Sequence, residues 1–580
     1  MFKLLKYLKH YKKESILAPL FKLTEAVFEL IVPLIVAAII DNGIAGGDKA
    51  YILKMCGVLG VFAVLGLACA VAAQYFAAKA AVGFSAKVKH AVFSHIEKLS
   101  FSQLDELGAP TLITRRTGDI TQVQSGVNLT FRLVLRSPIV VFGAMIMAFT
   151  VDVPTALVFA VAVPILALII FAITLFCIPL YRKVQQKLDG VLAKTRENLS
   201  GTRVVRAFCK EQEEISDFNA QNRALADMQI AVGKISAFLN PVTVLVINIA
   251  IIAIIYIGGV RVNMGSATSG DVVAQYNYMS QILVELVKLA NLIISVTKAI
   301  ACGNRIQSVL DTRPNMTSGN ITEGDPNNPY IVEFNNASLS YGGGENALNN
   351  INLKIKRGQT VGIIGSTGSG KSSLVNLIPR FYDVTGGSVL VDGIDVKQYD
   401  TYALRNKIGV VSQKKALFKG TVRDNIRFGK PDATDEEIWQ ALDTAQASQM
   451  ILDKTGQLDF CLEQGGKNLS GGQRQRMTIA RAIVRKPEIL ILDDSASALD
   501  YATGAALNSA LKNTDFSPTV ITVSQRVSAI RNADVIAVLD EGELVGIGTN
   551  EELLNTCEVY KEICASQLES EAGILKTNRF

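Results

Sequence analysis

The run Gly365-Ser366-Thr367-Gly368-Ser369-Gly370-Lys371-Ser372 fits the pattern G-x-x-x-x-G-K-[ST] and is followed by Ser373. The chemistry of that pattern is the gripping of a polyphosphate. Glycines let successive backbone N–H groups turn inward around phosphate oxygens, and a helix beginning there adds the partial positive charge of its N-terminus. Lys371 reaches the terminal phosphates, and the Ser372 hydroxyl is placed to bind Mg²⁺. The pattern needs a strand before it and a helix after it. Val361 to Ile364 supplies an apolar strand, and a helical pattern starts at Ser373. Far downstream, the buried-strand run Ile489-Leu490-Ile491-Leu492 ends in Asp493. A carboxylate there suits the magnesium side of the same site, where it holds the ion through water. ATP and Mg²⁺ are therefore the expected cofactors.

These residues lie where apolar strands alternate with helices, the pattern of an α/β domain. We place that nucleotide-binding domain at 331–570, with a C-terminal tail at 571–580. Pro314, Pro326 and Pro329, among several Gly and Asn, mark a linker over 311–330. Residues 1–310 are of another kind. Of 580 residues, 49% are hydrophobic and 19% charged, against the ~25% charge usual in soluble proteins, and the deficit falls before the linker. A membrane span needs about 20 mostly apolar residues, and six segments qualify, at 16–42, 55–83, 131–151, 154–181, 236–260 and 271–301. The fold class expected is multidomain: an all-α six-helix transmembrane bundle with long cytosolic extensions, followed by an α/β P-loop ATPase domain.

The connections set the orientation. The loops around Asp41–Asp48, at Asp152 and over Asn263–Gly270 are short, whereas 84–130 and 182–235 are long and rich in Lys and Arg. Positive loops stay cytoplasmic. The expectation is a multi-pass protein of the plasma membrane with both termini in the cytoplasm. The two long excursions read as spans continuing as helices beyond the bilayer, or as solvated loops. In the helical reading their tips are Thr111–Arg116 and Gly201–Phe208. The basic segment Met1–Ser15, with Phe2, Leu4, Leu5, Tyr7 and Leu8 between its lysines, reads as an amphipathic helix on the inner membrane surface. A signal peptide would show a short apolar core and a cleavage site.

Asn277, Gln281, Glu285, Lys288 and Asn291 fall within an arc of about 120° on the sixth segment at 100° per residue. A charge at that depth normally faces protein or a water-filled cavity. The stripe either lines a substrate cavity or contains a structural Glu285–Lys288 pair three residues apart. A net charge of +6 with no basic block gives no footprint for nucleic acid. The eight cysteines show neither a CxxC pair nor metal-ligand spacing, and read as packing residues.

Between the phosphate loop and Asp493 lies Leu469-Ser470-Gly471-Gly472-Gln473. With this pentapeptide the sequence resembles the ATP-binding cassette exporters, whose signature it is, and the resemblance covers nearly the whole chain. Tyr341 resembles the aromatic that stacks on adenine. Gln413 resembles the glutamine that touches Mg²⁺ and senses the membrane half. Ser497-Ala498-Leu499-Asp500 resembles the loop that crosses to the partner domain. Leu462–Lys467 sits where the family has its cross-linking loop but matches it loosely. Gly201–Phe208 is similar to the second coupling segment. The family also implies two cassettes stacked head to tail, each nucleotide lying between one chain's phosphate loop and the other chain's signature. The implied partners are a second half-transporter, the bilayer and an amphipathic small molecule.

Two positions depart from the family pattern. Asp494 stands where the family usually has Glu, the expected general base for the attacking water. Gln525, in Ser524-Gln525-Arg526, stands where it usually has His. Asp is one methylene shorter than Glu, and glutamine can donate a hydrogen bond but cannot carry a proton. Together they imply a site that binds ATP and hydrolyses it slowly. The intact signature then implies a degenerate-site subunit that completes a competent site on a different partner. The competing expectations are a homodimeric exporter of lipid or peptide, and a cassette-gated channel or regulatory subunit. The fused membrane half excludes the ATPase subunit of an importer.

Overall fold

The computed structural model describes residues 1–495 and 501–577. The chain divides into two compact units. One comprises Met1–Glu97 and Ala109–Thr312, the other Lys98–Gly108 and the chain from Arg313 onward.

The first unit is helical throughout. A 3₁₀ segment, Phe2–Tyr11, leads into α1 (Lys12–Ala38), followed by α2 (Lys49–Ile96). The second unit takes the short α3 (Phe101–Leu107). The bundle resumes with α4 (Ala109–Thr114), α5 (Ile120–Leu133), α6 (Arg136–Val151), α7 (Val153–Ala207), α8 (Glu211–Ala237), α9 (Leu239–Asn263) and α10 (Ser269–Asp311). Six helical arms among the described residues are long and apolar enough to cross a membrane: Lys3–Ile44, Lys49–Ile96, Ala109–Val151, Val153–Ala207, Glu211–Asn263 and Ser269–Asp311.

Polar caps set where the arms begin on the short-loop side. Asp48 accepts from the N–H groups of Ala50 and Tyr51, Asp152 from that of Thr155, and Thr268 with Asp271 forms a reciprocal capping box. Such caps satisfy N–H groups that the first helical turn leaves without partners. At 1.5 Å per residue, the 48 residues of α2 and 55 of α7 extend about 72 and 82 Å. A ~30 Å hydrocarbon core covers less than half of each. The long excursions are thus helix rather than solvated loop. The second turns at Phe208–Lys210, just after Gly201–Ala207 closes α7.

The first tip differs from the sequence expectation. Thr111–Arg116 lies in the opening turns of the third arm, and the short helix is α3, ten residues earlier. Ser100 and Gln103 form its capping box, and Gly108 stops it with φ +73°. Third-arm helix also begins well before residue 131, where the apolar run starts. The N-terminal segment buries Leu4 completely against Ala81, Phe84 and Ile306, so part of its apolar face covers the bundle. At the other end, helix Glu558–Thr577 runs through residues 571–577, where the sequence reading has a tail.

The second unit is built on two sheets. β1 (Tyr330–Ser340), β2 (Asn346–Lys356), β4 (Gly386–Val391) and β5 (Ile394–Asp395) form an antiparallel sheet ordered β2-β1-β4-β5. β3 (Thr360–Gly365), β6 (Ile408–Val411), β9 (Ile489–Asp493), β10 (Thr519–Val523), β11 (Val535–Asp540) and β12 (Glu543–Gly548) form the second, ordered β12-β11-β3-β10-β9-β6. A small hairpin pairs β7 (Gly420–Thr421) with β8 (Cys461–Leu462). The five neighbours β11, β3, β10, β9 and β6 are mutually parallel, and β12 pairs antiparallel at the edge. Every residue of β9 is buried, as a strand covered on both faces must be. Parallel sheets bring functional loops to the carboxyl ends of their strands, and there the sequence-predicted residues meet.

Candidate functional site

β3 feeds directly into the loop Gly365–Gly370 and helix α11 (Lys371–Leu377). The helix thus starts two residues earlier than the sequence pattern suggests. Gly370 sits at φ +92°, and a Cβ there would meet the Ala347 carbonyl oxygen at 2.6 Å. Both facts require glycine, and together they let the loop close around a ligand rather than around a side chain. Lys371 is 7% exposed. Its ammonium donates to the carbonyls of Gly365 (2.9 Å) and Ser366 (2.5 Å) and to the Ser369 hydroxyl (3.2 Å).

The adjacent strand ends close the site. In the ladder Val523 pairs with both Ile363 and Asp493, so the residues after β3, β9 and β10 emerge side by side. The Ser372 hydroxyl donates to Asp493 Oδ1 at 3.0 Å. Gln413, two residues beyond β6, donates through Nε2 to Asp494 Oδ2 at 3.3 Å. The Asp494 N–H donates to the Val523 carbonyl at 3.0 Å, and its φ is +49°. Gln525 is exposed, and its carbonyl accepts from Gln567 Nε2 at 2.7 Å. Tyr341 lies beside α11, its hydroxyl donating to Ser373 Oγ at 3.0 Å and its ring 43% exposed.

The electrostatics fit a magnesium–polyphosphate. Burial lowers the pKa of the Lys371 ammonium and raises that of the Asp493 carboxyl. Both charges are held in a place that disfavours them, with Asp493 and Asp494 only partly compensating Lys371. An anion against Lys371 and a divalent cation against Ser372 and Asp493 would reverse both penalties. The donors around Asp493 are hydroxyl, amide and carboxylate oxygens, the set that suits Mg²⁺.

Leu469–Gln473 stands apart from this cluster. Among the described residues no hydrogen bond or ion pair joins it to the phosphate loop. Leu469 is buried. Ser470 caps the helix Gly471–Ile483, its hydroxyl accepting from the Gln473 N–H at 3.2 Å. A Cβ on Gly471 would meet nothing within 4 Å, so that helix end offers its N–H groups to an incoming anion. Ser497–Asp500 lies outside the described residues.

Four residues carry no signal of their own in the sequence: Phe101, Asp105, Phe381 and Tyr382. The Tyr382 ring meets Tyr341 edge-on at 5.1 Å, and its hydroxyl donates to Asp105 Oδ2 at 2.7 Å. Phe101 packs on Phe381 at 4.6 Å. The α3 segment is thereby fixed beside Tyr341. The capping pattern Ser100-x-x-Gln103 was the available signal.

In the bundle, Glu285 is 2% exposed. Its carboxylate accepts from Lys288 Nζ at 2.8 Å, from the Ser137 hydroxyl at 2.9 Å and from Arg136, which also bonds Glu29 at 2.6 Å. Gln281 Nε2 donates to the Glu29 carbonyl at 3.3 Å. Asn277 is half-buried and Asn291 exposed. Glu285 and Lys288 are thus paired, three residues apart on α10.

Residues 15–286 match the ABC transporter transmembrane region family and residues 348–497 the ABC transporter family. An uncharacterized ABC transporter ATP-binding protein of Mycobacterium tuberculosis is 38% identical, with 97% of each chain covered. The ATP-dependent lipid A-core flippase of Desulfotalea psychrophila is 34% identical over 80% of this chain and 81% of its own. Among solved structures, a bacterial Atm1-family ABC exporter with ATP bound superposes with a TM-score of 0.77 at 24% identity, over 96% of this chain and 98% of that one. The chain belongs to the ATP-binding cassette transporters, as a half-transporter that carries its membrane bundle and its ATPase domain in one polypeptide with the fold of an Atm1-type exporter.

Proposed function

We propose that this chain is the degenerate-site half of a heterodimeric exporter in the plasma membrane, with both termini cytoplasmic, moving amphipathic drug-like or lipid molecules by alternating access. The observation that carries the pairing is the coincidence of Asp494 and Gln525 in one site beside a complete Leu469–Gln473. A general base must come within about 2.6–3.2 Å of the proton it takes. Asp494 is short for that task, and its backbone is tied to Val523.

In this reading Gly365–Ser373 grips the phosphates, Tyr341 stacks on the base, and Ser372, Asp493 and Gln413 surround Mg²⁺. Bound ATP here clamps the two cassettes together. Ser470 and Gly472 complete the opposite site, where a partner supplies the competent phosphate loop, Glu and His. Ser497–Asp500 crosses between the two sites. The tips at α3 and at Gly201–Phe208 pass cassette closure to the helices, and turnover at the competent site resets them.

The test is to purify the chain alone and together with candidate half-transporters, each in lipid. The expected result is slow ATP hydrolysis alone and fast, vanadate-sensitive hydrolysis with the right partner. Fast hydrolysis by the homodimer defeats the pairing.

A further inference from the structure

We propose that Gln567 is a positioning residue of the ATP site, holding Gln525 level with the phosphate loop so that its amide serves the terminal phosphate. This rests on the ATP-site reading above and deepens it by naming a residue outside every motif of that site.

The register of the parallel sheet sets where Gln525 stands. Val523 lies opposite Ile363, and the Ser524 N–H donates to the Ile363 carbonyl at 3.0 Å. Continued two residues, that pairing brings Gln525 level with Gly365, where the phosphate loop begins. Ser524 is buried, and its hydroxyl accepts from the Arg526 N–H at 2.9 Å. The chain is thus fixed on the upstream side of Gln525. The Gln525 side chain is exposed, and among the described residues no hydrogen bond occupies it. Its amide is left as a donor for an anion.

The downstream side depends on one side chain. Gln567 Nε2 donates to the Gln525 carbonyl at 2.7 Å, and Gln567 Oε1 accepts from the Val527 N–H at 2.9 Å. One planar amide thus satisfies a carbonyl and an N–H two residues apart. Val527 opens the short helix Val527–Ile530, and its N-cap residue Arg526 supplies no side-chain cap. The Val527 N–H is one of the orphans of a first helical turn, and Gln567 provides the missing acceptor. Capping needs only that acceptor. The second bond, to Gln525 itself, has no part in it. At neutral pH only Gln and Asn carry a donor and an acceptor on one uncharged carbon centre, and Asn is shorter by one carbon–carbon bond, about 1.5 Å.

The helix that carries Gln567, Glu558–Thr577, is itself anchored to the cradle. Tyr560 is fully buried, and its hydroxyl donates to Asn550 Oδ1 at 2.7 Å. Its face continues at three- and four-residue spacing through Ile563, Cys564 and Gln567. Tyr560, Ile563 and Cys564 pack in one core with Ile364, Ile530, Ile536 and Val538. Ile364 immediately precedes Gly365, so the same packed block fixes the phosphate loop and Gln567 together. An amide ends that apolar stripe, and both of its polar atoms engage the backbone around Gln525.

The experiment uses the full chain in lipid nanodiscs with Mg²⁺. Titration calorimetry reads the ratio of affinities for a non-hydrolysable ATP analogue and for ADP. That ratio isolates the terminal phosphate, because the two ligands share the rest. Gln525→Ala should lower it about tenfold, the scale of one hydrogen bond to a charged group. Gln567→Leu keeps the shape and removes both bonds, and should lower the ratio about threefold or more with ADP affinity unchanged. Added to Gln525→Ala it should lower the ratio no further, the coupling expected when one residue acts through another. Gln567→Glu keeps the acceptor and loses the donor to Gln525. It should resemble the leucine variant, and it decides the matter if that variant does not fold. A residue that only caps the helix would move the melting temperature and leave the ratio alone. A wild-type ratio in folded Gln567→Leu, equal losses for both nucleotides, or a loss that adds to that of Gln525→Ala overturns the proposal. A wild-type ratio in Gln525→Ala removes Gln525 from the terminal phosphate and overturns the proposal from the other side. Failure of the unmutated chain to bind either nucleotide is a separate result, which sinks the ATP-site reading and this inference with it.

Discussion

Replacing Asp494 by Glu moves the carboxylate outward by one carbon–carbon bond, about 1.5 Å. The backbone has little freedom to take that movement back. The Asp494 N–H is bonded to Val523, and Asp493 just before it is locked in the β9–β10 ladder. A misplacement near 1 Å costs on the order of 10²-fold in rate, and a positioned general base contributes about 10²–10⁴-fold. Asp494→Glu should therefore raise hydrolysis by the purified chain about 100-fold, some 2.7 kcal/mol of barrier. The gain carries a structural cost. Residue 494 has φ +49°, a left-handed conformation that Asp tolerates better than Glu, and the penalty is about 1 kcal/mol. Melting should fall by roughly 2–4 °C as the rate rises. The assay is vanadate-sensitive phosphate release at saturating Mg-ATP, read with a thermal melt on the same sample. An unchanged rate in both Asp494→Glu and the double variant Asp494→Glu/Gln525→His would refute the reasoning, because reach and proton transfer would then not limit this site.

Asp493 allows a prediction about pH. Its carboxyl pKa is raised by burial, so the folded nucleotide-free protein binds a proton more readily than the unfolded chain. Its contribution to stability is fullest under acid conditions and is lost as pH rises through the raised folded value. Asp493→Asn should flatten that slope in thermal melts across acidic to neutral pH and abolish Mg²⁺-dependent turnover; an unaltered slope counts against the burial argument. Lys371→Ala removes the buried cation, and nucleotide binding at this chain's loop should weaken by tenfold or more, about 1.5–3 kcal/mol, measured by nucleotide-analogue titration. Transport should survive this change better than the equivalent change in the partner, and equal losses oppose the asymmetry. In the bundle, Gly126→Val drives a side chain into Ala299 and should destabilise by about 1–3 kcal/mol. Ala299→Gly in the same chain should recover most of that loss, seen as melting temperature in detergent.

The strand, loop and helix around Gly365–Ser373 were legible because the phosphate-loop pattern fixes both residue type and spacing. Gly370 and Lys371 have almost no substitutes at their positions, and the apolar run ending at Asp493 announces its own strand. The arms were legible as apolar runs. Their extent was not, since the polar helix of Glu211–Ala237 is a span's continuation without a span's composition. The first tip was expected over Thr111–Arg116, inside the long Lys- and Arg-rich stretch 84–130. The deciding features were instead a cap at Ser100 and a stop at Gly108. The fate of Glu285 turned on Arg136, nearly 150 positions away, and no local pattern links the two. Tyr382 was missed for the same reason: its partners Asp105 and Tyr341 are close only after folding.

The polypeptide gives residues 98–108 to the ATPase unit long before the rest of that unit is made. A soluble fragment cut at residue 313 would lack its own docking peptide. Phe381 would lose Phe101 and Tyr382 would lose Asp105, leaving two bare aromatics at the edge of the nucleotide cradle. Such a fragment should be stickier than the intact protein and bind the base of ATP less well. Supplying the eleven-residue peptide in trans should repair both defects.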